Sequence, residues 1–474
     1  MKKMIILVLF ISVLGFGQVS WQYESIDSGP PYYSDFGAIN SLAIDTNGNP
    51  GVVYCSTGFQ KLFYAQRING AWHKELVGGS SIGYSLVYDF NNIPHLSFYK
   101  GVSTPPITLL CYGYRVDSAH WQISIIDTIY YHFPDWYVMG TSIAIDTLGL
   151  PAIAYASHDS VQPQYIKYAH YNGVSWDTSV VEYDGVNGRK TWSPALKFDK
   201  HNKPHIVFIR TEDSGGGMSL RYYSYDSLNN WTLKWSNYLG GVAGVVSDLE
   251  LDSNQYPHIA YIGGGATYSW WNGSTWNTDV IVGIGSVGVR IRLALDSDDK
   301  PHIIYVPDME MRVHYCYKDL TWHNVWLEPD TNAIIDTHPY VDLQFDKKSR
   351  IMHALYPRVS MSLCEVLRHA WGQVVGIEEN DTGFRIHDAG WKINIHPNIS
   401  CGRLTVEYNL QNAGDAEIGI YDVSGAKRKS IKFKNCPSGN YTKIFNLTNL
   451  ASGVYFAVLK QNNEKISKKF ILMR

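Results

Sequence analysis

Apolar and polar positions alternate in a segment that recurs along most of the chain. Each copy has an apolar run that ends in aspartate, a turn that usually closes on proline, and a second apolar run. Alternation on both sides of a short turn predicts a β-hairpin. The copies begin at Leu42, Leu86, Ile143, Leu196, Leu249, Leu293 and Leu343, the last with a longer turn and no proline. The aspartates are Asp45, Asp89, Asp146, Asp199, Asp252, Asp296 and Asp346.

Each copy continues with a tyrosine-rich run and a run opened by tryptophan, which gives four predicted strands in about 50 residues. One four-stranded sheet cannot bury both faces alone, whereas sheets fanned around an axis cover one another. Seven units therefore predict an all-β chain whose main domain is a seven-bladed β-propeller, with an eight-bladed ring as the alternative. The predicted strand-opening tryptophans, expected to pack between blades, are Trp72, Trp121, Trp176, Trp231, Trp276, Trp322 and Trp371.

A further tryptophan run begins at Trp21, ahead of the first copy. We expect it to pair with the seventh blade and close the ring, which would join the N-terminus to the end of the propeller. Trp371 competes for this role, and the sequence leaves the choice open.

Composition narrows the class of protein. Hydrophobic residues make up 45% and charged residues 18% of the 474 residues, which excludes a disordered chain. Lys and Arg number 40 against 43 Asp and Glu, and this near-neutral balance argues against a nucleic-acid partner.

The N-terminus has the pattern of a secretory signal peptide. Lys2 and Lys3 precede the apolar run 4–14, and Gly15 and Gly17 place cleavage after residue 17. A membrane anchor is the alternative, but this run is too short to cross about 30 Å of hydrocarbon as a helix. No later run has 18 uninterrupted apolar residues, so we expect no transmembrane segment in the mature chain.

The repeated polar residues raise the question of a metal site, and their spacing argues against one. Histidine recurs at one strand position, at His95, His205, His258, His302 and His353, but each lies in a different predicted blade. We therefore expect these histidines to pack inside the blades. The turn at Asp45 resembles part of a calcium loop, yet calcium takes about six to eight oxygen ligands, and other copies place lysine there. The sequence predicts no metal and no cofactor.

The six cysteines lack the CxxC spacing of thiolate zinc sites. Cys55, Cys111, Cys316 and Cys364 fall in different units, which makes mutual pairing unfavourable. Cys401 and Cys436 share the C-terminal region, and a disulfide between them stays open.

Candidate ligand-binding residues lie in the connections where the repeat fails. In a propeller, the connections between blades and those between the second and third strands emerge on one face, and such loops concentrate binding residues. The candidates are Tyr32, Tyr33, Trp136, His158, Asp159, Arg189, Trp192, Glu212, Asp308 and Arg312.

These candidates combine aromatic faces with carboxylates and guanidinium groups, a chemistry that suits sugars. The sequence therefore favours a recognition protein that binds a glycan, or a surface protein, on one propeller face. A carbohydrate-active enzyme of sialidase-like architecture, a glycoside hydrolase or lyase, is the alternative, and a purely structural scaffold is another. A hydrolase needs two carboxylates about 5–9 Å apart, and the sequence does not show that any two converge. The candidate carboxylates are Asp159, Glu212, Asp213, Asp308 and Glu310.

A different strand pattern occupies the C-terminal eighty or so residues. Its motifs, in order, are HPN (His396 to Asn398) with LTVEY, IYDVSG (Ile420 to Gly425), LASGVYF (Leu450 to Phe456) and KKFILMR (Lys468 to Arg474). This series resembles the C-terminal sorting domain of the type IX secretion system of Bacteroidetes-like bacteria. Two positions depart from that pattern: Ile399 replaces a usual second proline, and Ala426-Lys427 replaces a common Gly-Arg.

The resemblance implies export, with residues 393–474 addressing the protein to the outer-membrane secretion machinery. The protein would then be secreted or attached to the outer cell surface. An ordinary Ig-like binding module is the alternative for this region. The predicted organisation is a signal peptide at 1–17, a propeller at 18–376, a linker at 377–392 and a small Ig-like β-sandwich at 393–474.

Overall fold

The computed structural model describes residues 19–374 and 393–472 with short gaps. The gaps are 32–38, 57–60, 80, 104–105, 119, 130–139, 159–163, 184–190, 192–193, 213–216, 242, 283–287, 308–311, 320, 329–339, 360–363, 397–398, 401, 411, 423–425, 452 and 462–463. The chain divides into two compact units, residues 1–375 and 376–474. The predicted signal peptide and linker lie outside the described residues.

The first unit consists of seven four-stranded antiparallel sheets, as the repeat predicts. Strand β1 (Gln22–Pro31) precedes them in the chain. Blade 1 holds β2 (Asn40–Ile44), β3 (Pro50–Cys55), β4 (Lys61–Ile68) and β5 (Ala71–Gly79). Blade 2 holds β6 (Ile82–Tyr88), β7 (Pro94–Ser103), β8 (Pro106–Asp117) and β9 (His120–Ile129). Blade 3 holds β10 (Thr141–Ile145), β11 (Pro151–His158), β12 (Gln164–Tyr171) and β13 (Trp176–Glu182).

The remaining blades follow the same order. Blade 4 holds β14 (Ala195–Phe198), β15 (Pro204–Thr211), β16 (Met218–Tyr225) and β17 (Trp231–Gly240). Blade 5 holds β18 (Ala243–Leu251), β19 (Pro257–Gly263), β20 (Ala266–Trp271) and β21 (Trp276–Val280). Blade 6 holds β22 (Gly288–Leu295), β23 (Pro301–Pro307), β24 (His314–Lys318) and β25 (Trp322–Trp326). Blade 7 holds β26 (Asp342–Asp346), β27 (Ile351–Val359) and β28 (Cys364–Gln373).

The inner strands form a closed ring. Each first strand contacts the first strand of the next blade, and β26 of blade 7 contacts β2 of blade 1. The unit is therefore a seven-bladed β-propeller. We call the end that carries the aspartate turns the lower face, and the end that carries the connections between blades the upper face.

The N-terminal strand completes blade 7. Strand β1 pairs antiparallel with β28, from Gln22 opposite Trp371 to Pro31 opposite Cys364. Trp21 packs edge-on against Tyr315 of blade 6, with ring centroids 5.1 Å apart. The prediction that the Trp21 run closes the ring is confirmed. The prediction that Trp371 opens the seventh outer strand is wrong, because Trp371 lies in the third strand and Trp21 holds the outer position.

The other tryptophans pack between blades, as predicted. Each opens the outer strand of one blade and meets a tyrosine of the preceding blade, edge to face, which favours aromatic contact. These pairs are Trp121 with Tyr64, Trp176 with Tyr112, Trp231 with Tyr168, Trp276 with Tyr222 and Trp322 with Tyr268. In blade 7 the tyrosine is replaced by His369, which meets Trp72 at 5.4 Å.

The repeated aspartate organises the lower-face turn. Asp296 Oδ1 accepts hydrogen bonds from the backbone N–H of Asp298 and Lys300, at 2.8 and 2.9 Å. Its other oxygen lies 3.3 Å from Nε2 of His302, whose Nδ1 is 2.5 Å from the Tyr315 hydroxyl. Burial alone would raise the pKa of Asp296, but the hydrogen bonds from His302 and the turn lower it.

The same aspartate–histidine–tyrosine arrangement occurs in blades 2, 4 and 5, around His95, His205 and His258. These three histidines and His302 are buried and hydrogen-bonded inside single blades. The prediction that they pack structurally is confirmed for these four blades.

Neighbouring lower-face turns are also joined to each other. The third turn residue has a positive φ, for example 63° at Asn202, and its side chain reaches back to the preceding blade. Asn202 Oδ1 accepts from the Thr147 backbone N–H at 2.8 Å, as Asn92 Oδ1 accepts from Thr46 at 2.7 Å. The turns therefore add a polar belt to the apolar contacts between blades.

Replacing Asn202 tests this belt. We expect Asn202→Ala to lower the free energy of unfolding by about 1–2 kcal/mol, because alanine disfavours a positive φ and cannot accept the bond. Asn202→Gly restores the backbone freedom and should lose less. Chemical denaturation of both variants measures the difference, and equal losses would show that the φ preference is irrelevant here.

The second unit is a β-sandwich of two sheets. The three-stranded sheet holds β29 (Ile393–His396), β31 (Arg403–Leu410) and β34 (Gly439–Asn446). The five-stranded sheet holds β30 (Ile399–Ser400), β36 (Glu464–Leu472), β35 (Gly453–Gln461), β32 (Gly414–Asp422) and β33 (Lys427–Cys436). Alternate residues of both sheets, such as Leu404, Ile418 and Leu459, are fully buried and form its core. Cys436 carries a free thiol, and Cys401 lies outside the described residues.

Candidate functional site at the upper face

A β-bulge near the upper end of several outer strands re-aims an acidic side chain. The bulge lies between Val180 and Glu182 in blade 3, and between Ile125 and Asp127 in blade 2. Because an extra residue reverses the alternation of a strand, the acid turns toward the next blade. Asp127 Oδ2 thereby accepts hydrogen bonds from Tyr155 and Lys167 of blade 3, both at 2.8 Å.

The densest of these sites lies between blades 3 and 4. Glu182 of blade 3 pairs with Arg210, which is 7% exposed at the upper end of β15. Arg210 Nη2 also donates to Glu212 Oε2 at 3.1 Å, and Arg221 Nη2 donates to Glu212 Oε1 at 2.8 Å. We call these four residues the 3/4 cluster.

The 3/4 cluster fixes the charge of Glu212. Burial alone would raise its pKa, but bonds from Ser219 and Arg210 and the charges of both arginines lower the pKa to about 2. Glu212 is therefore an anion at every physiological pH. Such a carboxylate accepts hydrogen bonds well and is a poor general acid.

Of two exposed tyrosines on these strands, Tyr238 lies beside the cluster and Tyr183 lies on the blade 2 side of blade 3. Tyr183, directly after Glu182, is 60% exposed and meets the buried Tyr165 edge-on, with ring centroids 5.8 Å apart. Tyr238, on the outer strand of blade 4, is 68% exposed. It lies against Gly217, where an added Cβ would come within 2.7 Å of the Tyr238 hydroxyl. Tyr238 therefore adds an aromatic surface to the fixed charged groups of the 3/4 cluster.

The described residues next to two upper-face connections contact this cluster. Thr191, in the connection that leads into blade 4, forms an isolated β-bridge with Arg210. The turn after β15 closes with a 2.7 Å bond from the Glu212 N–H to the Gly217 carbonyl. The two kinds of upper-face connection therefore come together beside the charged groups.

The structure describes few of the sequence-predicted site residues. Glu212 lies in the 3/4 cluster, and Arg312 stacks on Trp326 of its own blade, 4.2 Å from the ring centroid. His158 ends strand β11, and its side chain is outside the described set. The candidates outside the described residues are Tyr32, Tyr33, Trp136, Asp159, Arg189, Trp192 and Asp308. Asp213 and Glu310, the further candidate carboxylates, lie outside as well.

Sequence reasoning missed Glu182, Arg210, Arg221, Tyr183 and Tyr238, because they lie in or beside regular strands. For two of these residues, the sequence contains a spacing pattern that could have identified them. Glu182 follows the strand-opening Trp176 by six residues, and Arg210 follows the repeated His205 by five. In some units, charged residues at these two distances mark the upper ends of strands, as Asp127 does six residues after Trp121.

Charged side chains also line the axis of the ring. Lys197 Nζ donates to Glu250 Oε1 at 2.6 Å, and Asp342 Oδ2 accepts from the Leu42 N–H at 2.7 Å. Burial, with the nearby charge of Asp248, raises the pKa of Glu250 and of Asp342. These inner-strand groups bind one another across adjacent blades.

Within the described ranges, no group of three or more His, Cys, Asp or Glu side chains is arranged to hold a metal ion. Over the same part of the chain, the structure contains no helix with the length and apolar character needed to cross a membrane.

Comparison with known proteins identifies the second unit. Residues 394–473 match the family model of the secretion system C-terminal sorting domain. The resemblance seen in the sequence is thus confirmed over this region. The protein is exported, and is secreted or attached to the outer cell surface. The sorting domain implies the type IX secretion machinery as a partner. Among curated protein sequences, none matches the chain significantly.

Several solved structures are similar to the propeller at low sequence identity. The polysaccharide lyase Uly1 is 8% identical, with a TM-score of 0.49, over 73% of this chain and 91% of the lyase. The Penicillium chrysogenum alpha-L-arabinanase is 11% identical, with a TM-score of 0.45, over 73% of this chain and 97% of that chain. The fucose-specific lectin from Aleuria aurantia is 11% identical, with a TM-score of 0.43, over 75% of this chain and 100% of that chain.

Proposed function

We propose that this exported propeller is a recognition protein that binds a glycan at the 3/4 cluster. The observation that carries the proposal is the placement of the exposed Tyr238 beside the charged groups of that cluster. A sugar ring stacks its C–H face on an aromatic side chain, while its hydroxyls bond to fixed charged groups. The arginines and carboxylates hold each other in place, so little side-chain freedom is lost on binding.

The charge state favours binding over catalysis at this cluster. A glycoside hydrolase needs one carboxyl group that is protonated near neutral pH. Glu212 has a pKa of about 2 and so does not serve as that acid. Its carboxylate is suited to accepting hydrogen bonds from sugar hydroxyls.

A glycan array with the full chain tests the proposal. We expect binding of a defined set of neutral glycans, and a loss of affinity of about tenfold in Tyr238→Ala. Trp136→Ala and Trp192→Ala extend the test to the predicted loop residues. Phe90→Ala is the matched control, because Phe90 is 66% exposed in a lower-face turn. An array without binding, or wild-type affinity in Tyr238→Ala, would contradict the proposal.

The alternative function is a glycan-cleaving enzyme that would use the carboxyl groups lining the axis of the ring. Glu250 and Asp342 have raised pKa values, as a general acid requires. Incubating each glycan that binds with the protein and measuring its products by mass spectrometry separates the two functions. Cleavage that disappears in Glu250→Gln or Asp342→Asn would favour the enzyme, and intact glycan would favour recognition. If the protein binds no glycan, a purely structural scaffold remains as the other alternative.

A further inference from the structure

The exposed tyrosine of the 3/4 cluster has a counterpart one blade away. Tyr238 follows the strand-opening Trp231 by seven residues, and Tyr183 follows Trp176 by the same number. Both rings are exposed, by 68% and 60%. After the other outer-strand tryptophans, the residue at this distance is Ser28, Gly79, Thr128, Gly283 or Pro329. The repeat therefore places a tyrosine at the upper end of the outer strand in blades 3 and 4 alone.

Tyr183 faces blade 2. Its ring meets that of Tyr165 edge-on, with centroids 5.8 Å apart. Lys167 lies two residues after Tyr165, on the same side of β12, and its Nζ lies 2.8 Å from Asp127 Oδ2 of blade 2. Glu182, directly before Tyr183, pairs with an arginine of blade 4 instead. The end of β13 thus directs one side chain toward each neighbouring blade.

An acid and a base accompany the tyrosine at both interfaces. Asp127 and Glu182 each lie six residues after the tryptophan that opens their strand. Lys167 and Arg221 each pair with the fifth residue of the second strand in their blade. The same three repeat positions therefore carry an acid, a base and an exposed tyrosine at two neighbouring interfaces. We define the 2/3 site as Asp127, Tyr165, Lys167 and Tyr183.

The polar groups of the 2/3 site are fixed and still have bonding capacity. Asp127 Oδ2 accepts hydrogen bonds from the Tyr155 hydroxyl and from Lys167 Nζ, both at 2.8 Å. An ammonium group has three N–H donors, and among the described groups only Asp127 accepts one from Lys167. The side chains of Lys167 and Asp127 are each 21% exposed. A sugar that stacks on Tyr183 therefore finds a charged donor and a charged acceptor beside the ring.

One sugar ring cannot occupy the 2/3 site and the 3/4 cluster together. The two lie on opposite sides of blade 3, because Tyr183 faces blade 2 and Tyr238 lies beside the 3/4 cluster. Packed sheets are about 10 Å apart, so the layers on the two sides of one sheet are separated by about that distance. A ligand that fills both sites must be a chain of several sugar units.

We propose that the 2/3 site is a second saccharide subsite, and that the propeller recognises an oligosaccharide whose units occupy the 2/3 site and the 3/4 cluster together. The inference rests on the proposed function and deepens it, because it sets the size of the ligand. Binding at one site holds the rest of the oligosaccharide near the other, which raises its effective concentration there. Affinity therefore rises with the length of the oligosaccharide until both sites are filled.

Calorimetry of the full chain with a size series tests the second subsite. The probes are the monosaccharide, disaccharide, tetrasaccharide and hexasaccharide of the glycan that binds most tightly on the array. We expect the hexasaccharide to bind the wild type about tenfold or more tightly than the monosaccharide. In Tyr183→Ala this gain should disappear, while the monosaccharide still binds at the 3/4 cluster. Tyr183→Phe retains the stacking ring and should retain the gain.

The outcomes separate this inference from the proposed function. Phe90→Ala, which removes an exposed ring on the lower face, is the matched control and should retain the gain with length. Loss of the gain in Tyr183→Ala, with the gain retained in Tyr183→Phe, supports the second subsite. Equal affinity of the wild type for all four probes, or a full gain in Tyr183→Ala, would overturn the subsite and leave glycan recognition standing. A wild-type protein that binds no glycan would overturn both.

Discussion

Gly372→Ala is expected to loosen the N-terminal segment from blade 7 and to lower the unfolding temperature markedly. An alanine Cβ at this position would lie 2.6 Å from Val19 Cγ1 and 2.8 Å from the carbonyl carbon of Ser20. The obstacle is mostly backbone, which cannot rotate away as a flexible side chain does. Overpacking of this kind costs about 1–3 kcal/mol, and displacing β1 also exposes Trp21 and Val19.

The matched control is Gly79→Ala, because Gly79 ends an outer strand and an added Cβ there meets nothing within 4 Å. Thermal unfolding followed by near-ultraviolet circular dichroism compares the two variants. Gly79→Ala should leave the transition unchanged. If Gly372→Ala also leaves it unchanged, the N-terminal segment does not hold blade 7 together in solution.

Acid is expected to destabilise the propeller through the histidines at the ring closure. His353 Nδ1 lies 2.9 Å from His369 Nε2, and His369 Nδ1 lies 2.9 Å from Glu24 of β1. Burial, with the charges of His369 and Arg67, lowers the pKa of His353 to about 3. Burial also lowers the pKa of His369, although Glu24 opposes that shift.

The direction of the effect follows from the sign of these shifts. In the unfolded chain histidine takes up a proton near its usual pKa of about 6.5, whereas the folded protein keeps His353 neutral. The unfolded state therefore binds more protons below that pH, and stability falls as the pH falls. At pH 4.5 the loss from His353 alone is about 3 kcal/mol.

Urea unfolding at pH 7 and pH 4.5 measures this loss. His353→Gln should reduce the difference in unfolding free energy between the two pH values by about 2–3 kcal/mol. His120→Gln is the control, because the His120 side chain is 78% exposed. A pH dependence that is the same in His353→Gln and in the wild type would contradict the assignment to His353.

The repeat made the architecture predictable. An aspartate turn and a strand-opening tryptophan recur because every blade packs against its neighbours in the same way. The number of copies therefore gives the number of blades. The prediction for Trp371 was wrong because blade 7 combines the first strand of the propeller domain with its last three strands. Its outer tryptophan, Trp21, stands ahead of the first repeat rather than after the last.

The candidate site was less predictable than the fold. Glu212 and Arg312 were predicted because they lie in irregular connections. Glu182 was missed, because only the bulge after Val180 turns its side chain toward blade 4. Strand alternation alone places that side chain on the opposite face. The role of Arg210 in the cluster depends on its contact with another blade, which the sequence of one blade does not show.

The pairing of β1 with β28 closes the propeller with residues from its two ends. Glu24 and its partner His369 are separated by 345 residues in the chain. Without β1, strand β28 would present an unpaired row of backbone N–H and C=O groups, on which a strand of another molecule could pair. The N-terminal strand therefore protects blade 7 from edge-to-edge association between copies of the protein.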